Sequence, residues 1–436
     1  MIRLGDFFLG GNYIASLKQW NHYDSLSEQE LAQIQSNNLQ KILRLAVKTV
    51  PFYQSYFAQN PELNPERLSD FPQLTKELLR AQQDQLVSSD FDVQKLHKNF
   101  SSGSSGVQSF SYIEKKYRYY LQGLQGHWFL WSGYRFGDPV MQFGISPNRV
   151  FPKNIKDLLY NVSYLNSFSL SEEDLEKAYH TLERKKIKFI IGYPSAIHTL
   201  AKWMIRQDKT HALDAIVSLG DKLFEHFKTD FNTVFHQPKI VDTYGCAEGL
   251  MMGCSLDHPY YYEMTPHVYI EIVDADGNPV QDGELGSVLV TSLTSFAMPM
   301  IRYKLGDLAI RLPREMYPKE RKFQYPLLQT IVGRETDVVV TKNQKTLVVH
   351  SFTGIVEYFP EIKQYQIRQR NREEIDFLYI TDEHFSFSEA TLEKIKNAIN
   401  QLTEGQLRIH FIKTTEIAPS PSGKPQIIVS ELKPYG

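Results

Sequence analysis

Apolar positions change their spacing along the chain, and each change marks a change of element. Near the N-terminus Leu31, Ile34, Ile42, Leu45 and Ala46 recur at helical spacing. They follow Ser27-Glu28-Gln29-Glu30, a capping box with Ser27 as N-cap and Glu30 reaching back. Pro51 stops that helix. Residues 70–80, with Pro72 and Lys76, read as a loop entering a second helix. Tyr112, Tyr117, Tyr119, Tyr120, Trp128 and Trp131 give an aromatic, helical segment whose rings belong in a core or interface.

From about residue 167 helix and strand patterns alternate. Ser171-Glu172-Glu173-Asp174 opens a helix to about Lys186, and Phe189-Ile190-Ile191 is a short buried strand. Gly192-Tyr193-Pro194-Ser195 turns into a helix through about Arg206. Residues 215–219 form a strand, Gly220-Asp221-Lys222 turns into the next helix, and the strand over 240–243 runs into Tyr244-Gly245. Strands separated by helices predict right-handed crossovers and a parallel sheet. Ligands bind at the carboxyl ends of such strands, where Gly192, Gly220 and Gly245 all fall.

From residue 268 the period drops to two. Residues 268–274 alternate, Asp276-Gly277 and Asp282-Gly283 signal turns, and 287–291 is the return strand. A loop over 296–307 precedes a strand over 308–312. Val332-Gly333-Arg334-Glu335-Thr336-Asp337 reads as a junction. Beyond it lies a small α+β unit, with strands near 338–340, 364–368, 375–380 and 408–412 and a helix over about 388–402. The expected architecture is α/β and multidomain. Residues 1–333 form a large domain of mixed and parallel sheets flanked by helices, and 334–436 a small α+β domain.

Composition narrows the class of protein. The 436 residues suffice for two or three domains. Lys plus Arg is 48 against 50 for Asp plus Glu, a net charge of -2, which argues against nucleic acid as a general partner. Only Cys246 and Cys254 are present, so a disulfide framework is excluded and a cytoplasmic setting is expected. No run approaches the roughly 18 apolar residues that suggest a membrane span.

The chemistry starts at Phe100-Ser101-Ser102-Gly103-Ser104-Ser105-Gly106-Val107-Gln108-Ser109. Small residues let successive N–H groups point into one concavity, and serine hydroxyls add donors for an anion. Taken alone, the same composition describes a flexible linker. It is neither a Walker A loop nor a nucleophile elbow, for no Gly-Lys-Ser/Thr follows and no Gly-x-Ser-x-Gly occurs in it. Cys246, Cys254, His258 and His267 match no zinc spacing and read better as two buried thiols and two ordinary histidines.

A set of spaced motifs together resembles the adenylate-forming superfamily of acyl-CoA synthetases, adenylation domains and luciferases. Residues 101–109 resemble its Ser/Thr-Gly-rich phosphate loop, and Tyr244-Gly245-Cys246-Ala247-Glu248 its Tyr-Gly-x-x-Glu segment. Tyr303-Lys304-Leu305-Gly306-Asp307 resembles its Tyr-x-Thr-Gly-Asp segment; Gly333-Arg334 and Ser422-Gly423-Lys424 resemble its hinge and C-terminal lysine loop. Each is weak alone, but all stand in family order. Within the superfamily the likeness is greatest to phenylacetate–CoA ligases and their capsule-biosynthesis-type relatives. It is carried by Val50-Pro51-Phe52-Tyr53, Leu74-Thr75-Lys76, Gly192-Tyr193-Pro194-Ser195 and Ala297-Met298-Pro299-Met300-Ile301-Arg302-Tyr303. Tyr365-Gln366-Ile367-Arg368-Gln369 looks more like the capsule-type branch.

The resemblance implies ATP-dependent activation of a carboxylate as an acyl-adenylate, with Mg²⁺, pyrophosphate release and transfer to CoA. It places ATP on Ser101, Ser102, Gly103, Ser104, Ser105, Gly106, Gly220, Asp221, Tyr244, Gly245, Asp307 and Arg334. Asp307 would accept the ribose hydroxyls and Tyr244 would stack on adenine. Glu248 would hold Mg²⁺, and Lys424 would enter the site on a mobile lid hinged at 334–337. Tyr193, Pro194, Cys246 and Ala247, with Trp131 and Phe136 nearby, would line the acyl pocket. A homodimer is what relatives suggest. Val107 stands where the loop commonly has Lys, Leu305 where the Thr stands, and Thr336 where the hinge acid stands. Residues 341–345 lack the Gly-rich run of CoA-using relatives, which keeps an amine, a hydroxyl or a carrier-protein thiol open as acceptor. A nucleotide-binding homologue without turnover is the third reading.

Overall fold

The computed structural model describes residues 12–100, 110–144, 157–158, 160–167, 170–246, 248–334, 338–343, 346–356, 358–359, 361–382, 386–418, 426–430 and 432. Helices α1 (Asn12–Tyr23), α2 (Glu28–Thr49), α3 (Pro51–Gln59) and α4 (Lys76–Ala81) lead in. The capping box forms: Ser27 Oγ accepts the Glu30 N–H, and Glu30 Oε2 accepts the Ser27 N–H at 2.8 Å. Pro51 ends α2 and opens α3 at a first-turn position, where a missing N–H costs nothing.

Strands β1 (His97–Phe100) and β2 (Phe110–Ile113) pair antiparallel with Phe100 opposite Phe110. The Gly/Ser stretch 101–109 between them lies outside the described residues. Helix α5 (Lys115–Trp131) leads into β3 (Val140–Gly144) and β4 (Val162–Asn166). Then come α6 (Glu172–Lys185), β5 (Phe189–Gly192), α7 (Pro194–Arg206), β6 (Ala215–Ser218), α8 (Glu225–Val234) and β7 (Lys239–Gly245). The antiparallel region holds β8 (Met251–Ser255), β9 (Tyr261–Glu263), β10 (Val268–Val273), β11 (Leu285–Ser292), β12 (Tyr303–Arg311) and β13 (Leu327–Arg334).

Among the described residues these strands make one sheet in the order β10-β11-β12-β13-β9-β8-β7-β6-β5-β3-β4. From β4 to β7 the neighbours are parallel, and from β7 to β10 antiparallel. β5 and β6 are buried at every residue, as strands covered on both faces must be. Ile190 and Ile216 pack on one face against Leu182, Leu200 and Phe231 of α6, α7 and α8. Ile191 and Val217 face the other way, onto Trp20, Leu124 and Trp128.

The C-terminal region is an α+β unit. It contains β14 (Val338–Val340), β15 (Thr346–Val348), α9 (Val349–Val356), β16 (Ile362–Asn371), β17 (Glu374–Thr381), α10 (Glu389–Thr403), β18 (Arg408–Lys413) and β19 (Ile428–Ser430). A four-stranded sheet runs β18-β17-β16-β19, and Ile395 and Ile399 of α10 share its core with Ile367 and Phe377.

One expected boundary is corrected. The loop expected over 296–307 ends early, because β12 begins at Tyr303. Leu74 supplies the reason: its N–H donates to Arg302 O at 3.1 Å, and its carbonyl accepts the Lys304 N–H at 3.0 Å. A partner more than 200 positions away makes this segment a strand, which local pattern does not reveal.

Candidate active site

The sheet changes from parallel to antiparallel at β7, and the residues of interest gather at that change. After Gly245 the chain closes a tight turn, with the Cys246 N–H on Leu250 O at 2.9 Å and the Gly249 N–H on Cys246 O at 3.1 Å. Gly249 sits at φ +92°, a conformation that favours glycine. The turn directs Glu248 inward, leaving it 5% exposed. Tyr303 Oη donates to Glu248 Oε1 at 2.9 Å. Burial, and then the Glu248 charge, push the Tyr303 hydroxyl far up, so it stays a neutral donor.

A second carboxylate lies beside the first. Asp307 on β12 is the cross-strand partner of Arg334 on β13, and Arg334 Nε stands 4.0 Å from Asp307 Oδ1. Tyr244 Oη donates to Asp307 Oδ2 at 3.0 Å. Burial raises the Asp307 carboxyl, opposed by Arg334 and by the Tyr244 hydrogen bond. Gly306, at φ +80°, makes the bend just before it. A carboxylate oriented by a guanidinium and a phenol can still accept a pair of vicinal hydroxyls.

The turns after β5 and β6 complete the rim. Tyr193 caps α7, whose first residue is Pro194. Gly220 takes φ +71°, and a Cβ there would lie 3.1 Å from Tyr193 Cε1, so the ring lies against that turn. Asp221 Oδ1 accepts the Lys222 N–H at 2.8 Å. The pairings Gly192↔Ser218 and Ser218↔Asp242 set these turns side by side at the carboxyl ends of β5, β6 and β7. Cys246 is half-buried, and burial followed by the Glu248 charge pushes its thiol well up, keeping it protonated. The structure thus brings together Tyr193, Pro194, Gly220, Asp221, Tyr244, Gly245, Cys246, Glu248, Asp307 and Arg334. Ser101 to Gly106, Ala247 and Lys424 lie outside the described residues.

Two other expectations meet different surroundings. The Trp131 indole donates to Asp24 Oδ2 at 3.0 Å and its ring stacks on Phe323 at 4.5 Å, so Trp131 packs as a core residue. Phe136 packs edge-on to Tyr13 and Tyr134. His267 accepts the Met251 N–H at Nε2 and bonds Thr294 Oγ1 through Nδ1, and burial lowers it to about 3. Among the described residues no three His, Cys, Asp or Glu side chains gather in a metal-binding group.

Sequence reasoning missed Asp242, half-buried on β7 two residues before Tyr244. Tyr261 Oη donates to Asp242 Oδ2, the Thr243 N–H donates to Oδ1 at 3.1 Å, and burial raises the carboxyl to about 6. It also missed Tyr303 as the partner of Glu248, and the cations of α4. Lys76 acts electrostatically on Asp307, and Arg80 on Tyr303. The signal for α4 was present in Leu74-Thr75-Lys76, since Leu74 ties that helix to the start of β12.

The family described as AMP-binding enzyme matches residues 166–297. Phenylacetate-coenzyme A ligase of Escherichia coli (strain K12) is 32% identical over 147 residues, 32% of this chain and 32% of that protein. The match therefore spans about a third of that relative's length. Protein CapK of Staphylococcus aureus is 20% identical over 428 residues, 93% of this chain and 90% of CapK. A solved 2-hydroxyisobutyryl-CoA ligase, in the postadenylation state with an acyl-AMP, superposes with a TM-score of 0.73 at 16% identity, covering 94% of this chain and 92% of that one. The matched segment is similar to AMP-binding enzymes, and the fold is shared with the solved ligase. The sequence is similar to phenylacetate-coenzyme A ligase over about a third of its length and to CapK over most of it.

Proposed function

We propose that this protein activates a carboxylic acid with ATP as an acyl-adenylate, releases pyrophosphate, and passes the acyl group to CoA. The observation that carries the reading is the pairing of a buried and a half-buried carboxylate with two neutral tyrosine donors, Glu248 with Tyr303 and Asp307 with Tyr244, at the change of strand direction. The relatives named above, ligases of carboxylic acids to CoA among them, support it.

Adenylation is an in-line attack of a carboxylate oxygen on the α-phosphorus, with pyrophosphate leaving. The protein has to fix the nucleoside, hold the acid and screen charge. Asp307 and Arg334 receive the ribose. Tyr244 offers a face to adenine, and Tyr193, Pro194 and Cys246 bound the acyl side. Ser101 to Gly106 cradle the outer phosphates. A single buried carboxylate, Glu248, fits Mg²⁺, which is commonly held by one or two carboxylates together with substrate phosphates. When bound, that ion would screen the phosphate charge.

Residues 334–436 act as a lid pivoting next to Arg334. Lys424 enters the site for the first step and withdraws for the second, when the acceptor thiol approaches. Cys246 and Cys254 are both free thiols, which fits a cytoplasmic setting. Among the described residues no helix is long and apolar enough to cross a membrane.

The test is pyrophosphate release from MgATP against a panel of aryl, fatty and amino acids, with and without CoA. Release that depends on one acid, with CoA consumed in step, is the expected result. Release without CoA consumption moves the acceptor to an amine, hydroxyl or carrier thiol. Nucleotide binding with no release across the panel overturns the catalytic reading.

A further inference from the structure

Lys222 lies in the turn between β6 and α8, and nothing above assigns it a role. Its ammonium is largely withdrawn from water: burial lowers it to about 8, with Asp242 opposing. Nζ donates to Val332 O at 2.7 Å, 110 positions along the chain, and stands 5.9 Å from the Phe224 ring centre.

Val332 is an unusual place for that bond to end. The β12–β13 ladder pairs Asp307 with Arg334 and Leu308 with Gly333, and then Ala309 with Ile331. Val332 is skipped, so it is the extra residue of a β-bulge. Gly333 next to it takes φ +153°, at the edge of the region other residues avoid. The Val332 side chain packs beside Leu308, Val338 and Val340. Its carbonyl turns out of the ladder and is received by the half-buried Lys222 ammonium. Bulges re-aim the side chains that follow them. Here the residue two positions on is Arg334, whose guanidinium faces Asp307.

We propose that Lys222 is a positioning residue for nucleotide binding. By holding the Val332 carbonyl it fixes the bulge that aims Arg334 at Asp307, and so sets the pair that receives the ribose. This rests on the adenylating reading. Lys222 touches neither Asp307 nor Arg334; it acts through two residues of backbone. Loss of the ammonium therefore impairs recognition of the ribose hydroxyls in particular.

The experiment uses the full chain and its Lys222→Met and Lys222→Arg variants. Calorimetry measures binding of AMP and of 2′,3′-dideoxy-AMP, which lacks both ribose hydroxyls. Lys222→Met is expected to weaken AMP about tenfold and to leave the dideoxy nucleotide within about twofold of wild type. Lys222→Arg, which keeps a charged donor, is expected to restore most of the loss. In the unliganded Met variant, amide hydrogen exchange across 331–334 is expected to quicken, and this needs no ligand. With ATP as substrate, KM should rise while kcat holds. Equal loss for both nucleotides, no loss for either, or unchanged exchange overturns the positioning role and leaves adenylation standing. Wild-type protein that binds neither AMP nor MgATP overturns the adenylating reading, and the ribose role with it. Should the Met variant fail to fold, Lys222→Gln, which removes the charge and keeps a polar side chain, decides: loss of AMP binding with the dideoxy nucleotide unaffected supports the role, and equal loss or no loss overturns it.

Discussion

Tyr303 is fully buried and donates to Glu248 at 2.9 Å, while Tyr244 serves Asp307 at 3.0 Å. A phenol satisfies a carboxylate lone pair without cancelling its charge, as an ion pair with arginine does. The negative charge of Glu248 so remains available to a cation. Tyr303→Phe leaves Glu248 buried without this donor, and hydrogen bonds to charged groups contribute about 1.5–3 kcal/mol. The expected result is a fall in kcat of about tenfold or more with the fold intact, read by pyrophosphate release alongside circular dichroism. Asp242 makes a prediction of different sign. Its carboxyl is raised from 3.8 to about 6, so the folded chain holds that proton more tightly than the unfolded one. The stability this lends is full below about pH 4 and is lost as pH rises through about 6. Asp242→Asn carries no such titration. Its melting temperature relative to wild type should therefore climb between pH 5 and pH 8, and a flat difference across that range refutes the shift. The sequence pointed to Glu248 and Asp307 through their motifs. It did not point to Tyr303 as the partner of Glu248 or to Asp242, because burial and a hydrogen bond across the fold decide their roles.

Elements whose partners are near in sequence were legible. The helix expected to run from Pro194 through about Arg206 is α7, and the helix expected to end at about Lys186 is α6. Strands such as β8 and β9 were not, because they are short and β8 is almost wholly buried, so neither shows alternation. β12 was read late for a related reason: its start is held by Leu74, and Arg302 just before it adopts φ +48°. That arginine is 6% exposed and donates to Ser69 O, Phe71 O and Gly277 O, so one side chain ties two segments to the head of the strand. Gly192 shows how closely neighbouring strand ends approach. A Cβ there would lie 2.4 Å from Phe143 O, at φ +155°. Gly192→Ala should lower stability by at least about 2 kcal/mol. Denaturant titration checks this, and a change below 1 kcal/mol, taken as about the size of an ordinary surface effect, would show that β3 can yield.

For the molecule as a whole, a change of pattern near 333 leads the sequence to an expected division there, while the contacts across that point were not legible. Phe224 of the large domain packs on the core that holds Ile367 and Phe377, and Leu308 packs with Val338 and Val340. Under the proposed mechanism, such contacts would hold residues 334–436 within reach of the site. Lys424→Ala should abolish most adenylation and leave ATP binding near wild type, since the lysine acts on charge developed in the transition state. Unchanged turnover in that variant sinks the proposed lid chemistry. The extra residue at Val332 has a consequence for parity. Side chains along a strand alternate between two faces, and one inserted residue exchanges odd for even beyond it. Arg334 faces Asp307 on an even count only because Val332 is there to be skipped. Were Val332 instead drawn into a regular ladder, Gly333 would stand opposite Asp307 and Arg334 opposite Gly306, so the more regular strand would be the one that turns the guanidinium to the other face and parts the pair proposed to receive the ribose.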